Sequence, residues 1–384
     1  MCIRIHTLGW GPSDFGALGG CPAGPPPGPA LHPPELNDEA VEEVLARLPP
    51  DDPALLVRAA LVCKRWCRLV SSPGFRRRFR LLHRTAPMLG FFCRQPSSTR
   101  FVPTASSSIC LPYAVRPEWR VLSSRHGRLL VLNPPSVSPT SGRELIVWDP
   151  FTDEQRRVPM PPFDSILLCS ATGCDHIDCH RDPFLVVFVC SHGLDNQIVS
   201  ASVYSSETNA WSHPISVHIH CRFDVASRNV QVNNAVYFTC ENKIRILEYH
   251  LGKEEISMIS LLYLRYVPHA VLMKLEDGGL GFALVQGTTL SIWSREDGTD
   301  GYATWALRRV VELNELQPLC DLSASPYFFT VAIADEVDVF FFWAHDQLFT
   351  IDLRSSRVKK VGNLPSGIVP YVSFYTPAMP IIAT

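Results

Sequence analysis

The sequence predicts an α+β, multidomain chain: a small helical module followed by an all-β domain, a β-propeller of about six blades. Three observations predict it. Apolar residues recur with a helical period between residues 35 and 85. From residue 86 the pattern changes to short β-type runs bounded by turn residues, with no long helical stretch between them. A strand-then-turn signature also recurs through that second region, at steps of roughly 44–58 residues.

Residues 1–34 come first. They are rich in Gly and Pro, with Pro25-Pro26-Pro27 and Pro33-Pro34, and lack apolar periodicity. A disordered leader is expected there, because such a composition offers too little apolar surface to bury.

Residues 35–85 form the helical module. Asn37 or Asp38 can cap its first helix. Glu39, Glu42 and Glu43 load the opening turns with negative charge, which suits the positive end of the helix dipole. Val41, Val44, Leu45 and Leu48 fall on one stripe, and Pro49 and Pro50 stop the helix. Asp52 can cap a second helix, with Pro53 at its first position. Leu55, Ala59, Val62, Trp66 and Leu69 make a second stripe, widened by Leu56, Cys63 and Val70, and Ser71-Ser72-Pro73-Gly74 ends it.

A stretch of roughly forty residues does not bury this many apolar groups unaided. Either a groove on a partner covers the surplus or the stripes form the core of a helical hairpin. Charge is segregated here too. Asp38, Glu39, Glu42, Glu43, Asp51 and Asp52 precede a run from 53 to 95 that holds no acid but carries Arg58, Lys64, Arg65, Arg68, Arg76, Arg77, Arg78, Arg80, Arg84 and Arg94. Such a block suits an acidic partner surface and speeds encounter with it. Arg76-Arg77-Arg78-Phe79-Arg80 also reads as a nuclear-import or nucleic-acid patch. It is short, and the whole chain is slightly acidic at −2, so no nucleic-acid partner is expected.

Residues 86–384 form the β-domain. Strands are expected at 128–132, 145–148, 185–190, 200–204, 235–240, 244–249, 281–285, 290–293, 337–343 and 348–353. The recurring signature sits at Asp149, Ser205, His250, Ser294 and Asp352, each just after an apolar run. A closed ring of blades leaves no free sheet edge. Met88–Phe92 and Tyr371–Tyr375 are apolar enough to share a closing blade. A β-sandwich or two smaller β-domains is the alternative.

Composition bounds the rest. With 384 residues, 46% hydrophobic and 19% charged, the chain has a sizeable globular core and room for two or three domains. Thirteen cysteines are scattered singly. With no signal-peptide pattern and no N-x-Ser/Thr acceptor, a reducing compartment with mostly free thiols is expected, cytoplasm or nucleus. No apolar stretch approaches the roughly eighteen residues of a membrane helix, so no membrane partner is expected.

The module resembles an F-box. The resemblance rests on Leu36-x-Asp38, Leu48-Pro49, Val62-Cys63-Lys64-Arg65-Trp66 and Pro73-x-Phe75; one departure is Ala40, where the family more often has a larger aliphatic. It implies docking on a Skp-type adaptor, itself acidic, through Leu36, Val41, Val44, Leu45, Leu48, Pro49, Leu55, Leu56, Val62, Cys63, Trp66 and Leu69. The adaptor would link to a cullin scaffold. The second region resembles the C-terminal domains of plant, especially grass, F-box proteins. That match covers Trp148-Asp149-Pro150-Phe151-Thr152, Val203–Trp211, Gly278–Phe282 with Leu290–Trp293, and Phe349–Lys360 with Pro370–Tyr375. Together they imply a non-catalytic substrate receptor of a ubiquitin ligase, with no cofactor and an unknown target protein. The rival readings are an enzyme on a propeller scaffold, such as a hydrolase or metal-dependent lyase, and an adaptor-binding scaffold outside a ligase.

Few constellations suggest chemistry. Cys169, Cys174, His176, Cys179 and His180 make the densest cluster, followed by Cys190 and His192. Cys174, His176, Cys179 and His180 are the candidate zinc ligands by residue type, although their spacing is unlike a zinc ribbon or finger. A thiol-bearing loop is the plainer account. Gly278-Gly279-Leu280-Gly281 lacks the strand-loop-helix context of a phosphate loop and reads as a β-turn. No G-x-S-x-G, H-E-x-x-H or P-loop motif occurs. Trp148 and Trp293 lie inside apolar runs and are expected in the core. Trp211 and Trp305 lie nearer turns and are candidate target-binding residues.

Overall fold

The computed structural model describes residues 36–94, 99–104, 118–133, 144–159, 165–170, 174, 179, 183–193, 198–219, 229–240, 245–260, 270–297, 303–319, 328–344, 346–363 and 367–377. The chain divides after Asn37, and the unit that begins at Asp38 holds every helix and strand described below. The expected leader lies outside the described residues.

Four helices open the larger unit: α1 (Asp38–Ala46), α2 (Pro53–Val62), α3 (Lys64–Ser71) and α4 (Pro73–His83). Asp52 caps α2 by accepting from the Ala54 N–H at 3.2 Å, with Pro53 in the first turn. The second stripe is not one helix. Cys63 is extended, at φ −160° and ψ 164°, and its sulfur accepts from the Trp66 N–H at 3.5 Å, so α3 starts on a new axis. Nor does Ser71–Gly74 end the helical run. Ser72 caps α4, accepting from the Phe75 N–H at 3.1 Å, and Pro73 takes the first helical position. A serine, a proline and a glycine read as a stop also spell a start.

Among the described residues, twenty-four strands follow in six sheets. β3 (Arg120–Arg125), β4 (Arg128–Asn133), β5 (Glu144–Trp148) and β6 (Gln155–Val158) form the first complete blade. β7 (Ser165–Cys169), β8 (Phe184–His192) and β9 (Ile198–Ser205), edged by β10 (Ala210–Trp211) and β11 (Ile215–His218), form the second. The third is β12 (Asn229–Val232), β13 (Ala235–Thr239), β14 (Arg245–His250) and β15 (Glu255–Ser260). The fourth is β16 (Val271–Lys274), β17 (Leu280–Gln286), β18 (Thr289–Asp297) and β19 (Ala303–Glu312). The fifth is β20 (Phe328–Ala334), β21 (Val339–Ala344), β22 (Gln347–Asp352) and β23 (Val358–Gly362). In the sixth, β1 (Met88–Arg94) pairs with β2 (Thr99–Pro103) on one side and with β24 (Ile368–Val372) on the other. The expected closing blade is therefore present, though only Tyr371 and Val372 of the Tyr371–Tyr375 run are strand.

The first strands of neighbouring sheets touch one another: β24 with β3, β3 with β7, β12 with β16, β16 with β20 and β20 with β24. They line the axis of a ring. An apolar layer fills each gap between sheets, and adjacent residues of a strand feed opposite layers. Phe92 packs toward Leu129 and Trp148 of the first blade, whereas Phe91 packs toward Phe341 of the fifth. Leu129 and Leu130 divide in the same way.

The recurring signature has a physical cause. Asp149 directly follows a third strand and Ser205, His250 and Asp352 end theirs, and each side chain accepts a backbone N–H two or three residues on. Four residues later stand Asp153, Asn209, Glu254 and Ser356, all left-handed with φ between 53° and 58°. In two blades an aromatic ring ties the turn down: the Trp148 Nε1–H donates to Asp153 at 2.9 Å and the Tyr204 hydroxyl to Asn209 at 2.6 Å. Ser294 departs from the set, since it lies inside β18. Gly278, at φ +82°, occupies the turn between β16 and β17 as the β-turn reading requires.

Candidate functional site

The helices build a small core from Val41, Leu45, Leu56, Val70, Phe75 and Phe79. This core uses only part of the apolar surface. Val44 on α1 remains 61% exposed, and Leu61 and Val62 at the end of α2 remain 76% and 64% exposed. Leu36, in the segment before α1, is 60% exposed.

The twelve candidate adaptor residues therefore divide. Val41, Leu45 and Leu56 are buried inside the module; Leu48, Leu55, Trp66 and Leu69 are half-buried; Leu36, Val44, Pro49, Val62 and Cys63 are exposed. Stripe periodicity names the buried face and its margins without separating them. Leu61 lies off the stripe and was not singled out by it, yet among the described large apolar side chains of the helices it is the most exposed.

Part of the charge segregation is satisfied within the module. Arg65 pairs with Asp38, Arg78 pairs with Glu43 and stands 3.9 Å from Glu42, and Arg47 pairs with Glu43 at 2.8 Å. Arg58, Lys64, Arg68 and Arg77 stay exposed on α2 to α4 and still give that surface a positive bias.

α4 joins the module to the closing blade. Phe79 is fully buried and meets Phe374 edge-on at 6.1 Å between ring centres. His83 contacts the Ala46 carbonyl at 2.9 Å, and the Ser373 N–H donates to Pro87 O at 3.1 Å.

Beside this junction opens a cavity of about 800 Å³. Its wall includes Arg125, Lys274, Asp335 and Val372, at or next to the ends of β3, β16, β20 and β24, so it is the mouth of the axial channel. Arg80 and Arg84 of the helical end form one rim. Asp338 is held by Arg354 at 2.7 Å. The Asp335 Oδ1 is buried with no hydrogen-bond partner. Burial pushes this carboxyl up to about 7, against the pull of Arg125. The neighbouring Glu336 is raised by the same cause, against the same pull of Arg125. A carboxyl titrating near neutrality beside a guanidinium can hold or release a proton there. These residues come from separate turns, and no local motif in the sequence points to them.

The remaining candidates fall as follows. Trp148 is buried. Trp293 is half-buried against the layer between the third and fourth blades. Trp211 and Trp305 are half-buried, not exposed. Trp211 packs on Phe188 and Tyr204 and donates to Pro159 O at 2.7 Å; Trp305 stands edge-on to Phe282 at 4.9 Å. Cys169, Cys174 and Cys179 bring their sulfurs within 4.8 Å of one another. His176 and His180 lie outside the described residues. No disulfide joins Cys63, Cys67, Cys93, Cys169, Cys174, Cys179 or Cys190, whereas Cys240 is disulfide-bonded.

Comparison with known proteins gives two family matches. Residues 34–78 match the F-box domain, and residues 120–380 match the family described as F-box protein AT5G49610-like, beta-propeller. F-box protein At5g03970 of Arabidopsis thaliana is 23% identical over 285 residues, covering 68% of this chain and 65% of that relative. Among solved structures, the periplasmic gluconolactonase PpgL of Pseudomonas aeruginosa aligns at 12% identity and a TM-score of 0.38, over 71% of this chain and 80% of that one. The β-propeller domain of Cps50 (Swd1) from Myceliophteria thermophila aligns at 10% identity and 0.36, over 74% and 86%. Likeness at that level says nothing of function.

Proposed function

Because the chain belongs to the family of F-box proteins with an AT5G49610-like β-propeller, we propose that it is the substrate-receptor subunit of a Skp–cullin–F-box ubiquitin ligase. One observation carries this reading. The F-box folds with its own core and still leaves Val44, Leu61 and Val62 uncovered. Exposed aliphatics of this size call for a partner groove, and the exposed Arg and Lys residues beside them favour an acidic one.

In this reading the helices dock on a Skp-type adaptor, the adaptor joins a cullin scaffold, and the propeller holds a target protein. The chain itself performs no bond chemistry. Its contribution is proximity: holding the target near a ubiquitin-charged enzyme makes transfer effectively unimolecular. The reading places the protein in the cytoplasm or nucleus, where the adaptor is found.

Affinity purification of the tagged full chain tests it. Adaptor and cullin are expected together, and both are lost with Val44→Asp plus Val62→Asp. Recovery of adaptor without cullin favours a scaffold outside a ligase. Recovery of neither overturns the proposal.

A further inference from the structure

We propose that Cys169, Cys174 and Cys179 form a zinc site that clips the connection between β7 and β8. The connection is unusual within this ring. The first and second strands of the first and third blades are joined by residues 126–127 and 233–234, whereas in the second blade they are joined by residues 170–183. An excursion of that length within a compact domain needs something to hold it.

Its neck is closed. Cys169 pairs in register with Phe184, and the Ser170 N–H donates to Pro183 O at 3.2 Å. The excursion then returns Cys174 and Cys179 to the end of β7. Cys179 is 1% exposed, Cys169 is buried and Cys174 is half-buried, and all three sulfurs lie within 4.8 Å of one another.

The geometry is close to that of a tetrahedral centre. Zinc–thiolate bonds of about 2.3 Å put the sulfurs about 3.8 Å apart, so a closure of about 1 Å completes three corners. A solvent molecule can take the fourth corner. Binding sends three thiol protons to solvent and leaves a tris-thiolate centre with one net negative charge. A cation is at hand to offset it: Arg128, buried, donates from Nη2 to Cys179 O at 3.3 Å and lies over the Phe184 ring. Three thiols used only as small apolar fillers need neither to converge nor to have a guanidinium beside them.

Zinc content of the full chain, purified under reductant, tests the proposal by plasma mass spectrometry. About one zinc per chain is expected, falling several-fold in Cys174→Ser, whose side chain is half-buried. Cys190→Ser, a half-buried thiol on β8 outside the trio, keeps the full content. Cobalt(II) exchanged into the parent protein gives an intense thiolate charge-transfer band, a readout that does not depend on a variant folding. Zinc below about a tenth of stoichiometric in the parent overturns the site. So does occupancy unchanged in Cys174→Ser, or a disulfide within the trio in the reduced preparation.

Discussion

Truncating Val44, Leu61 and Val62 together to alanine isolates the docking surface from the fold. All three point away from the module's core, so their loss removes little internal packing. Fully burying one Val or Leu is worth about 1.5–3 kcal/mol. With 61–76% of each side chain still uncovered, a partner gains about 1–2 kcal/mol per residue by covering it. The three sum to about 3–6 kcal/mol. If ordering and desolvation take back two thirds, about 1–2 kcal/mol remains. The variant should therefore bind a recombinant Skp-type adaptor between about 5-fold and 30-fold more weakly. Titration calorimetry measures this, with the thermal transition as control. Binding within about threefold of the parent, with melting unchanged, refutes the assignment of this face. The pair Leu48→Asp and Trp66→Ala is a harsher test of a different kind. Both side chains pack on the module's own core, so that pair is expected to abolish adaptor binding through the helices' fold while the propeller still melts cooperatively.

Other outcomes follow from particular side chains. Phe79→Ala empties a fully buried site shared with Phe75, His83 and Phe374 and should destabilise the module by about 3–5 kcal/mol, read by denaturant unfolding. Tyr371→Phe removes the hydroxyl that donates to Gly127 O at 2.9 Å and should cost about 1–2 kcal/mol, with the ring still closed by circular dichroism. Asp335→Asn should change how stability depends on pH. The folded carboxyl is raised to about 7 from its ordinary 3.8. The native state therefore binds more protons than the unfolded one between those values, and stability falls as pH rises through that window. The full shift corresponds to at most about 4 kcal/mol, less in a site that water can reach. The variant should melt higher than the parent at pH 8 and equally near pH 4; equal melting at both removes Asp335 as a buried acid.

The sequence reveals strands according to where they sit in a blade. Those expected coincide with second or third strands, such as β4, β5, β8 and β9, which face apolar layers on both sides and read as continuous apolar runs. First strands such as β12 are short, and outer strands such as β6 are largely exposed, so neither leaves a strong periodic trace. The strand expected at 337–343 begins at Val339 instead, because Asp335–Val337 form a 3-10 turn and Asp338 is left-handed. In the helices, two stripes suffice for α1 and for the capped start of α2, but the break at Cys63 is invisible to periodicity, since steps of four and three continue across it. The uncovered aliphatics are decided by how four helices meet, the channel mouth by how separate turns converge. Neither is a property of any local window.

The sixth sheet takes two strands from the start of the β-domain and one from its end, and Phe374, just past that last strand, is also the ring that meets Phe79 of α4. During translation, a nascent chain that has not yet released residues near 368–374 from the ribosome has β1 without its β24 partner and α4 without its aromatic seat. The order of synthesis thus makes these helices wait for the whole intervening ring of blades to be made before they gain their full support.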